Sequence, residues 1–120
     1  MPPWTWISIA DGSANGYRFN RDGAKVEFVY EPVTPEMSSS GFYSGGPARR
    51  EALDAGDGRL SELWALLQRL EANPAVHVED RAMGTGAIAW QSGEQRHEFI
   101  VAMGEELDGL LALLKRFGRE

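Results

Sequence analysis

Two leucine stripes at helical spacing constrain this chain more than any other feature. Asp57 is placed to cap a helix carrying Leu60, Leu63, Trp64, Leu67 and Leu70 at offsets 0, 3, 4, 7 and 10, and Asn73-Pro74 stops it. The same grammar returns at the C-terminal end. Glu105 and Glu106 open that segment, Leu107, Leu110, Leu111, Leu114 and Phe117 form its stripe, and Lys115 and Arg116 close it before Gly118, the expected C-terminal cap. Helices with such stripes need an apolar surface to pack on, and the segments between them have the pattern of a sheet.

Residues 4–10 (WTWISIA) and 24–31 (AKVEFVYE) alternate with period two and are rich in aromatic and β-branched side chains. In the second, Val26, Phe28 and Tyr30 share a face opposite Lys25, Glu27 and Glu31. Turn signals at 11–16 and 21–23 leave room for a short strand over 17–20, which completes an antiparallel meander. Residues 48–53 fit either an edge strand or a helical turn. Residues 75–80 alternate again, with Val76 and Val78 expected inward and His77 and Glu79 outward, and 87–91 with 96–103 read as a hairpin around Ser92-Gly93-Glu94. The pattern predicts one α+β domain over 1–120, an antiparallel sheet of about five to six strands with two amphipathic helices packed on one face.

A chain of 120 residues without cysteine has to be held together by its core, and at this length roughly two-thirds of the unfolded surface is buried, which is enough. The lack of cysteine also excludes thiol catalysis, cysteine-based zinc sites and iron–sulfur clusters. A formal net charge of −6, with two lysines in the chain, argues against nucleic acid as a partner. No stretch approaches the ~20 apolar residues of a membrane span. Met-Pro-Pro-Trp-Thr-Trp lacks the basic residue and apolar run of a signal peptide, so the expected location is the cytoplasm.

Motifs for chemistry are sparse. Gly84-Thr85-Gly86 with Ala87 to Ala89 has the glycine spacing of a dinucleotide fingerprint, but strand-like residues follow where a helix N-terminus must hold the pyrophosphate. Ser44 lacks the glycine two positions earlier that a nucleophile elbow requires. His77 and His97 are the two imidazole bases in the chain, and both fall on expected strands. Asp54 and Asp57 are explained by turn formation and capping, and Glu105-Glu106 by the helix dipole. Neither a metal nor a cofactor is implied, and no residue is assigned a catalytic role. Trp4 and Trp6 are expected on one face of the first strand, as core or as an aromatic patch through which a monomer becomes a homodimer.

The long irregular segment over 32–47 (PVTPEMSSSGFYSGGP) stands out, with three prolines, three glycines and five serines and threonines. Loops of this length in compact domains tend to carry function or be disordered. Phe42 and Tyr43, set among Ser44, Gly45 and Gly46 and followed by Arg49 and Arg50, have the composition of a binding loop, where aromatics supply area and small polar residues supply adaptable hydrogen bonds. The leading reading is a non-enzymatic protein-interaction module that engages a protein partner through residues 37–50. The rival is a small-molecule or hydrolytic site in which loop hydroxyls work with His77 or His97 as base. From Ser44-Gly45-Gly46 through Arg49-Arg50-Glu51-Ala52-Leu53-Asp54 to the leucine helix, hairpin and C-terminal helix, residues 40–120 resemble emfourin-type inhibitors of thermolysin-like metallopeptidases. The strands of residues 1–31 and the Pro-Ser stretch over 32–40 are additions to that pattern. The resemblance implies a metallopeptidase partner whose cleft receives the turn at Ser44, Gly45 and Gly46.

Overall fold

The computed structural model describes residues 3–37, 41, 42 and 44–118. In chain order the elements are β1 (Trp6–Ala10), β2 (Gly16–Asp22), β3 (Lys25–Glu31), β4 (Arg49–Asp54), α1 (Gly58–Glu71), β5 (His77–Val78), β6 (Gly86–Ser92), β7 (Gln95–Val101) and α2 (Glu105–Leu114). The strands form one seven-stranded antiparallel sheet in the order β4-β3-β2-β1-β6-β7-β5.

Alternation along the central strands sorts side chains to two faces. Ile7 and Ile9 of β1 stand beside Phe19 and Tyr17 of β2 on one side and Trp90 and Ile88 of β6 on the other, all buried. The same face takes Leu60, Leu63, Leu67 and Leu70 of α1 and Leu107, Leu110, Leu113 and Leu114 of α2, so both helices and the sheet share one core. Fully burying a leucine contributes roughly 2 kcal/mol, so these stripes add substantially to the cohesion that the buried aromatic and aliphatic residues of the sheet supply. Beyond α2, Phe117 packs on Phe19 and Phe28 with ring centroids 4.9 and 5.5 Å away, and Gly118 follows in the left-handed region at φ +72°. Asp57 caps α1, accepting from the Arg59 amide at 2.9 Å. Among the described residues no helix lies on the opposite face of the sheet.

The sheet has seven strands rather than five to six, because residues 49–54 pair with β3 along their whole length and because His77–Val78 adds a short edge beside β7. Two further expectations are corrected. Pro74–Val76 forms a 3-10 turn, and the chain leaves it with His77 on the helix side and Val78 on the open side, 38% exposed. Trp4 precedes β1 and is fully buried, whereas Trp6 lies within the strand on the open face between the guanidinium groups of Arg18 and Arg96, so the two tryptophans do not share a face. No helix is long and apolar enough to cross a membrane among the described residues.

Candidate functional site

The connection between β3 and β4 is closed at its base by four groups. The Gly45 amide donates to the Val33 carbonyl at 2.9 Å, and the Val33 amide donates to Asn15 Oδ1 at 2.8 Å. The Tyr30 hydroxyl donates to the Gly45 carbonyl at 2.6 Å. Asn15, itself 3% exposed, donates through Nδ2 to both carboxylate oxygens of Asp11, and the Tyr17 hydroxyl donates to the same carboxylate at 3.1 Å. Burial and the Asp11 charge together push the Tyr17 phenol well above its ordinary value. Arg81 donates to the Asp11 carbonyl at 2.7 Å, which ties the β5–β6 connection into the same network.

Gly45 is a glycine for a steric reason. A β-carbon there would stand 1.9 Å from Asn15 Oδ1 and 2.9 Å from the Tyr30 oxygen. Its neighbours Ser44 and Gly46 are exposed. Above this fixed base the loop holds Met37, 68% exposed, and Phe42, 91% exposed. An apolar ring so far into solvent contributes little to the fold, whereas a protein interface rewards it. Tyr43 lies outside the described residues. Arg50 is exposed on the open face at the sheet edge, 3.6 Å from Glu27. Arg49 faces the helices, donating to the Phe117 carbonyl at 3.1 Å with its guanidinium over the Tyr30 ring, so it docks the end of α2.

The histidines of the rival reading stand elsewhere. His77 shares a 2.7 Å hydrogen bond with the Leu70 carbonyl and stacks on Phe99, and His97 Nδ1 lies 2.6 Å from Glu71 while its ring stacks on Trp90. Both are on strands at least four places from β3 in the sheet, ~19 Å at the usual strand spacing, so the fold does not bring either to Ser44. Asp54 pairs with Lys25 at 2.5 Å, and Asp57 holds α1 and Arg59. Among the described residues no group of three or more His, Cys, Asp or Glu side chains is placed to hold a metal ion.

A second exposed pair escaped the sequence reading. Met83, 96% exposed, and Met103, 73% exposed, sit in neighbouring connections that meet where Gly84 approaches the Met103 sulfur. Glu79, Asp80, Glu105, Glu106 and Asp108 flank them in sequence, all exposed and without an ion-pair partner among the described residues. The available signal was two methionines that fit neither period, each close to acids. The connections that hold Met37, Phe42, Met83 and Met103 all open at the end of the sheet where β1 stops. No protein-family model matches the chain, and neither a curated protein nor a solved structure matches it.

Proposed function

We propose that this protein is a non-enzymatic interaction module that grips a protein partner with the β3–β4 loop, using Phe42 as anchor and Tyr43 beside it. The observation that carries the reading is Phe42 at 91% exposure on a loop whose base is fixed by Asn15, Tyr30 and Gly45. A base already ordered lowers the entropic cost of binding, and a ring that leaves water on docking supplies the gain. Met37, Ser44, Gly46 and Arg50 form the rim of the contact. Arg49 supports it from below.

A thermolysin-like metallopeptidase is the partner class that the resemblance of residues 40–120 suggests, with Ser44 and Gly46 as the accessible part of the turn. The test compares capture from lysate by the wild type and by a folded Phe42→Ala/Tyr43→Ala variant, alongside a thermolysin inhibition assay with both. A protein retained by the wild type and lost by the variant supports the module. Dose-dependent inhibition that the variant loses supports the peptidase class. Identical capture profiles overturn the anchor assignment.

A further inference from the structure

Among the described residues no strand pairs with the outer side of β4, which leaves its whole length as an open edge. The Ala55 amide donates to the Ala24 carbonyl at 2.8 Å, on the β3 side of the chain. Antiparallel pairing turns the N–H and C=O of alternate residues to alternate sides, so Arg49, Glu51 and Leu53 bond to β3 while Arg50, Ala52 and Asp54 turn theirs outward. All three outward residues are exposed. Their side chains stand in one row on the open face of the sheet, in the order basic, small, acidic.

Charge on an edge turns away strands that do not match it, but this edge matches itself. We infer that two copies of this chain join β4 to β4 about a two-fold axis through Ala52, so that the sheet continues across the dimer. In that register Arg50 faces Asp54 of the second copy, Asp54 faces its Arg50, and the two Ala52 residues meet at the axis, where a small side chain permits close approach. The Ala52 pair exchanges both backbone bonds. The Arg50 carbonyl accepts from the Asp54 amide of the second copy, while the Asp54 carbonyl is already held by the Asp57 amide at 2.9 Å. Other registers lose the match. A slip of two residues sets each charge against an uncharged neighbour, and a slip of four sets Arg50 against Arg50 or Asp54 against Asp54. Behind the seam the signs keep alternating, because Lys25 pairs with Asp54 and Glu27 lies 3.6 Å from Arg50.

The contact is short, so the dimer should be weak, with a dissociation constant between about 10 µM and about 1 mM. Sedimentation equilibrium across that range should show the wild type passing from monomer to dimer. The Ala52 amide should exchange more slowly as the protein is concentrated, while the Leu53 amide, bonded to β3, stays protected throughout. Arg50→Glu and Asp54→Lys, at exposed positions, should each set like charges across the axis and weaken the dimer at least about tenfold. An equimolar mixture of the two variants should dimerise again, because each charge then meets its opposite. Phe42→Ala should leave the dissociation constant of the dimer unchanged, so this inference and the loop reading fail separately. A wild type that stays monomeric at the top of the range, a dimer that either single reversal leaves intact, or a mixture that stays monomeric would each overturn the proposal. An Ala52 amide whose exchange does not change with concentration overturns it in the wild-type protein, even if a variant does not fold.

Discussion

Gly45 shows how one residue sets the base of the loop. Adding a methyl group there drives it into Asn15, whose side chain is already committed to Val33 and Asp11, so neither can move without breaking a buried hydrogen bond. Gly45→Ala should therefore destabilise the protein by about 2 kcal/mol, read as a lower urea midpoint at unchanged slope, whereas exposed Ser44→Ala should stay within about 0.5 kcal/mol. Arg59 works at the same scale. Its guanidinium lies 2.6 Å from Glu51 and 3.0 Å from Asp57, and hydrogen bonding to Arg59 holds both carboxyls below their ordinary range. A carboxyl with a depressed folded-state pKa stabilises the fold above its unfolded value, and that contribution drains away as the pH falls through the folded value. Thermal melts should thus lose stability from about pH 4.5 downward, and Arg59→Met should flatten that loss. A melting temperature with the same acid slope in both proteins would refute the assignment.

At the scale of elements, the ends of α2 and β4 hold each other. Arg49 reaches the Phe117 carbonyl, the Gly118 amide donates to Glu51 at 2.8 Å, and a β-carbon on Gly118 would come within 2.8 Å of Arg49 and 2.9 Å of Phe28. Gly118→Ala, at a positive φ besides, should loosen this corner, seen as faster amide exchange over 114–118 while α1 stays protected. Protection equal to the wild type would count against it. Both helices and the hairpins were legible in the sequence because each buries one stripe or one alternate set, the pattern that a single core enforces. The edges were less legible. β5 is two residues long and its facing is set by the turn of Pro74–Val76, and Trp4 reaches the core because the chain bends before β1 begins. The loop was visible from composition, but its base was not, since Asn15 meets Val33 and Gly45 across separations of 18 residues and more.

Taken as a whole, the molecule gathers its exposed apolar side chains Met37, Phe42, Met83 and Met103 at one end of the sheet and carries charge along an edge. Along edge strand β4, exposed Arg50 and Asp54 put charge where an unpaired strand would otherwise recruit another. Most acids in the middle of the fold are matched, as Glu27, Glu51, Glu62 and Glu98 are by arginines, while five unmatched acids flank Met83 and Met103 at the loop end. These five acids therefore stand at the same end of the sheet as the connection that holds Phe42. A partner docking there meets apolar anchors first and a negative rim beside them, so its association rate should fall with added salt if its own surface is basic. In the proposed contact Phe42 carries most of the binding energy. Calorimetric titration of the captured partner against the wild type and Phe42→Ala, at one salt concentration, tests it most directly. Phe42→Ala should lose roughly 2 kcal/mol, about thirtyfold in affinity, with the melting temperature unchanged. Equal affinities would contradict it.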